Sequence, residues 1–126
     1  MLRLLTPVLL VLFTLMLSNC SSPKPLYYYG DYSEEYYHSK KELTPEARIA
    51  LQHSIEEAIQ NADEGSSGRV APGMYANLGY LYLKAGQTKM AIANFKLEKS
   101  IYPESAKFMD RMIKKIEALE RDEDEE

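Results

Sequence analysis

Cysteine, histidine and basic surplus are all scarce here, and each shortage removes a class of function. One cysteine in 126 residues leaves no internal disulfide. The two histidines, His38 and His53, are isolated, whereas a metal site needs clustered ligands at short spacing. A formal net charge of -4 gives no basic patch against phosphates, which excludes nucleic acid as a partner. Glycine clusters only at Gly65-Ser66-Ser67-Gly68, which lacks the lysine and the preceding strand of a phosphate-cradling loop. The adjacent pairs Glu34-Glu35 and Glu56-Glu57 point different ways on a helix, so neither converges on a substrate. A nucleophile needs a base within reach and a means of stabilising charge, and no such pattern is present. The chain is read as a non-enzyme without cofactor.

Long apolar runs are confined to the N-terminus. Arg3 is followed by LLTPVLLVLFTLML and then by Ser18, Asn19 and Cys20. A basic start, a short apolar stretch and a small-residue junction describe an export signal, and the stretch is short for a membrane span. Leu17-Ser18-Asn19-Cys20 resembles the lipobox of bacterial lipoproteins. That resemblance implies cleavage before Cys20 and acylation of the cysteine, with acyl methylenes each contributing about 0.8 kcal/mol of membrane affinity. By the same resemblance, Ser21 and Ser22 after the cysteine lean towards sorting to the outer membrane. The expected layout is a signal peptide over 1–19, a lipidated tether over 20–26, a helical domain over 27–121 and a disordered acidic tail over 122–126.

Within the body, Tyr75, Leu78, Gly79 and Tyr82 share one helical face, and Ala91 and Phe95 share another. Gly86 separates the two runs and Pro103 closes the second. Thr44-Pro45-Glu46 is a helix start, followed by the stripe Ala47, Leu51, Ile55, Ala58, Ile59 and Ala62. Tyr29, Tyr32 and Tyr36 repeat the offsets of Tyr75, Leu78 and Tyr82, with Asp31 or Ser33 as cap, and are expected in the core. Thr88 is the expected cap of the Ala91 helix. The segment Asp63 to Pro72 reads as an insertion bulging outwards between two units. Met109, Met112 and Ile116 continue the phase at about 34 residues, which predicts a terminal helix over Ser105 to Glu120.

This order resembles the tetratricopeptide repeat, two antiparallel helices in about 34 residues. The resemblance implies an all-α, short tetratricopeptide-like solenoid of about five helices, two pairs and a C-terminal capping helix. By position, Asn77, Tyr80, Leu83 and Lys84 would face the concave groove, or Tyr80 and Leu83 would pack on the first unit. Gly73 stands where peptide-binding members carry lysine, which argues against capture of a terminal carboxylate. Glu98 replaces a small alanine, so it lies at a helix edge or contacts a partner. Tyr27, Tyr28 and Tyr37 remain for partner contact, since tyrosine joins rigid area to a polar tip.

LYYYGDY, PGMYANLGYLYLKAG and FKLEKSIYPESAKFMDRM together resemble an uncharacterised family of short bacterial TPR-type lipoproteins. Members often neighbour a lipoprotein similar to the curli secretion pore component. The resemblance implies a periplasm-facing, outer-membrane-anchored adaptor partnered by other envelope lipoproteins, with regulation of a peptidoglycan-building enzyme as the alternative.

Overall fold

The computed structural model describes residues 23–124, so the expected signal peptide and Cys20 lie outside the described residues. Five helices follow in order: α1 (Tyr32–Glu42), α2 (Pro45–Gln60), α3 (Met74–Lys84), α4 (Thr88–Ile101) and α5 (Ala106–Asp124). Short 3-10 turns fill Ala62–Glu64 and Pro103–Ser105. Each helix packs on the next, giving an all-α, solenoid-like stack with no strand among the described residues. None of the described helices is long and apolar enough to cross a membrane.

Local chemistry sets most boundaries. Thr44 Oγ1 accepts from the Ala47 N–H at 3.1 Å, with Pro45 in the first turn of α2 and Glu46 near the positive dipole end. Gly86 ends α3 in the left-handed region at φ 74, where a side chain would be strained. Asp31 sits at the start of α1 without a side-chain capping bond. Thr88 is the first residue of α4 and not its cap; its hydroxyl bonds Glu120 of α5 instead. That bond pins α5 near its end, and the helix continues through Asp124, into the segment expected to be disordered.

Two apolar clusters hold the stack. Leu51, Ile55 and Ala58 of α2 meet Ala71, Met74 and Leu78, while Ala91 and Phe95 of α4 meet Met109, Ile113 and Ile116 of α5. Tyr82 packs against both, so α3 is the shared wall. Gly79 explains how close that wall stands. A Cβ there would lie 2.8 Å from the ring of Phe95, which is fully buried, and 3.1 Å from the Ala91 carbonyl. The helix cost of glycine, roughly 1 kcal/mol, is offset by this approach.

Two expectations about the first hairpin are corrected. Leu43 stands at φ 51 after α1, as Gly86 stands at φ 74 after α3, which makes these the equivalent turn residues. Tyr32, not Tyr29, is therefore the counterpart of Tyr75, and α1 is rotated by roughly 60° from the tyrosine-based phase. Tyr29 and Tyr36 are accordingly 40% and 41% exposed, not core. The second correction concerns the loop after α2, which does not bulge outwards. Ser66 and Ser67 donate their N–H groups to the carbonyls of Pro25 (2.8 Å) and Leu26 (3.0 Å), clasping the N-terminal segment. Val70 and Ala71 pack into the first cluster, and the Tyr102 hydroxyl donates to the Val70 carbonyl.

Candidate functional site

A cleft of about 430 Å³ opens between α1, α2 and α3. Tyr36, Ser39, Lys40 and Leu43 line it from the first helix and its turn, with Arg48, Leu51 and Ile55 from α2. The third wall is Asn77, Tyr80, Leu81 and Lys84 of α3. Its floor is core, since Leu51 and Ile55 are buried, and its rim is aromatic and basic, with Tyr80 44% exposed. The Lys40 ammonium lies 5.1 Å from the Tyr36 ring centre, and that of Lys84 lies 5.5 Å from the Tyr80 ring. Asn77 Nδ2 donates to the Tyr32 hydroxyl at 3.0 Å, tying α3 to α1 across the cleft.

An aromatic ladder supports the α1 side. Ring centres stand 6.5 Å apart for Tyr27 and Tyr29, 6.3 Å for Tyr29 and Tyr32, and 5.7 Å for Tyr32 and Tyr36. Burial, then the neighbouring Tyr36 and Tyr29, raises the Tyr32 hydroxyl above its ordinary pKa. Burial also pushes Tyr102 up to about 12 and raises Tyr82, whose hydroxyl donates to Glu56 at 3.0 Å. The Tyr82 and Tyr102 hydroxyls thus act as donors, to Glu56 and to the Val70 carbonyl, whereas the Tyr32 hydroxyl accepts from Asn77.

The expected site residues separate into those the fold brings together and those it uses elsewhere. Asn77, Tyr80 and Lys84 do share the cleft. Leu83 does not: it packs on the α4–α5 cluster, on the other side of α3. Glu98 is neither at an edge nor open to a partner, being only 3% exposed. Its Oε1 accepts from the Gly73 N–H at 2.8 Å and its Oε2 from the Ala76 N–H at 3.2 Å. It therefore caps α3 from α4, in place of the side chain that Gly73 lacks. Tyr27 and Tyr28 pack against the first cluster, and the Tyr28 hydroxyl donates to Glu57 at 3.3 Å. Tyr37 is 66% exposed but does not line the cleft. Cys20 lies outside the described residues.

Sequence reasoning missed Tyr36, Lys40, Leu43 and Arg48 as rim residues. For the first three the signal was hidden because the α1 turn uses leucine where glycine would have marked the phase. The imidazoles occupy plain settings. His38 Nδ1 lies 3.6 Å from Glu42 on the exposed face of α1. His53 borders a shallow hollow with Asp31, Glu35, Glu46 and Glu57, and the neighbouring Ser54 hydroxyl donates to the Leu51 carbonyl at 2.9 Å. Among the described residues no three histidine, aspartate or glutamate side chains are close enough together to share a metal ion.

The chain matches a known family profile. The profile described as Domain of unknown function (DUF4810) covers residues 26–112, from the clasped N-terminal segment into α5. No curated protein and no solved structure matches the chain.

Proposed function

Because the chain belongs to the DUF4810 family, whose description names no activity, we propose from its own residues that it is a TPR-like adaptor. It works as a lipoprotein of the bacterial outer membrane, held through Cys20, and presents the α1–α3 groove to a protein partner in an envelope assembly. The observation that carries this reading is the groove rim, where Tyr36, Leu43 and Tyr80 are all exposed around a preformed cleft. Exposed aromatic area beside cations suits protein contact. Three other hollows among the described residues, bordered by Ile49 and Gln52, by His53 and Glu57, and by Lys89 and Met90, contain no tyrosine or phenylalanine in their lining.

Two variants test separate parts of the proposal. Crosslinked membranes carrying the wild-type chain should yield an envelope protein that Tyr80→Ala fails to recover, with helicity unchanged by circular dichroism. Tyr80 is exposed, so its truncation leaves the core intact, and loss of an interface tyrosine typically costs about 1–2 kcal/mol of binding. A partner held equally by the variant would remove the groove from the proposal. Recovery of a pore-like lipoprotein supports an assembly adaptor, whereas a cell-wall synthase would make the chain a regulator. Cys20→Ala should move the protein from the membrane pellet to the soluble fraction; unchanged partition would end the anchor proposal.

A further inference from the structure

Resting on the groove reading above, we infer that the occupant is an acidic segment of a partner protein that also carries an apolar side chain. Lys40, Arg48 and Lys84 reach the cleft from three different helices, and no carboxylate lines it among the described residues. The chain itself carries -4, so this single-sign lining is a local arrangement and not a sample of a basic surface. The two lysines lie over tyrosine rings, which positions the ammonium groups without neutralising them. The ion pairs among the described residues, His38 with Glu42 and Lys99 with Asp110, leave all three cations out. Their charge is therefore available to a ligand.

Leu43 supplies the second half of the inference. It is 76% exposed and stands at φ 51, where glycine serves the matching turn at Gly86. A branched residue in that conformation is strained, and the strain puts an apolar side chain on the cleft rim between cations. Acidic groups against the three cations and one apolar residue against Leu43, Tyr36 and Tyr80 match the lining. A long polyanion such as nucleic acid would leave the apolar rim unused and needs cations spread along its backbone.

The test uses the full chain in non-ionic detergent and a fluorescein-labelled, end-blocked peptide, Asp-Glu-Glu-Leu-Asp-Glu, followed by anisotropy. The control has amides in place of all its carboxylates. The acidic peptide should bind at least about tenfold more tightly than the control, and Arg48→Gln or Lys84→Gln should each weaken it about three- to tenfold. Binding should also weaken as salt rises, because the cations are exposed. Leu43→Gly should reduce affinity while raising the melting temperature, a split that a purely structural role would not give. Equal binding of both peptides, or indifference to Arg48 and Lys84, would overturn the inference. So would tighter peptide binding after deletion of Asp122 to Glu126, because the chain's own acidic end would then be the occupant. If the acidic peptide fails but Tyr80→Ala still loses the membrane partner, the groove stands and only its ligand chemistry falls.

Discussion

Replacing Glu98 by alanine should lower the unfolding free energy by about 2–4 kcal/mol, although it forms no ion pair among the described residues. α3 begins after Gly73, which has φ 87 and no side chain to accept from the first-turn N–H groups. Glu98 performs that task from α4, accepting from Gly73 and Ala76, and its negative charge sits at the positive end of the α3 dipole. Truncation removes two hydrogen bonds, a charge–dipole contact and the packing of a side chain that is only 3% exposed. Glu98→Gln keeps one acceptor oxygen and loses the charge, so it should cost about half as much. Urea unfolding would measure both. An alanine variant within about 0.5 kcal/mol of wild type would refute the capping role.

Gly65→Ala is the second large effect, expected at about 2–3 kcal/mol. The backbone of Gly65 is extended, at φ -73 and ψ 153, so alanine carries no conformational penalty there. The cost is steric. A Cβ would lie 2.8 Å from the Leu26 carbonyl oxygen and 2.9 Å from both Tyr27 Cα and Tyr28 N. These are backbone atoms that cannot rotate aside. Relief requires the N-terminal segment to lift, which breaks the bonds from Ser66 and Ser67 and unseats Tyr27 and Tyr28 from the first cluster. Faster proteolysis before Tyr29 should accompany the lost stability. Gly68→Ala is the contrast: its φ of +61 is strained for alanine, but nothing lies within 4 Å of the added methyl. It should cost only about 1 kcal/mol and leave the clasp closed. Equal effects from both substitutions would mean the clasp has no energetic role.

Much of the fold was legible because it is written in local signals. The Thr44-Pro45-Glu46 start, the stripe from Ala47 to Ala62 and the turn at Gly86 each act within a few residues of the chain. The terminal helix was legible for the same reason, since Met109 and Ile116 keep the phase of Tyr75 and Tyr82, and both are buried. On the α3 wall of the groove, Asn77, Tyr80 and Lys84 followed from the positional resemblance to the tetratricopeptide repeat. The α1 half did not. Tyrosines recur there at several spacings, and Leu43 hides the turn that fixes which spacing is structural.

Sequence alone therefore determined five helices, their order and most of their ends, because hydrogen bonding within a helix is local and its apolar period repeats in the text. Tertiary structure decided three other matters: the rotation of α1, the return of the 61–73 loop onto Pro25 and Leu26, and the use of Glu98 as a cap. Each joins groups far apart along the chain, such as Glu98 with Gly73 or Ser67 with Leu26. No spacing rule links such pairs. They are chosen by which helix faces and backbone groups meet once the stack has closed, and that meeting also gathers Lys40, Arg48 and Lys84 around one cleft.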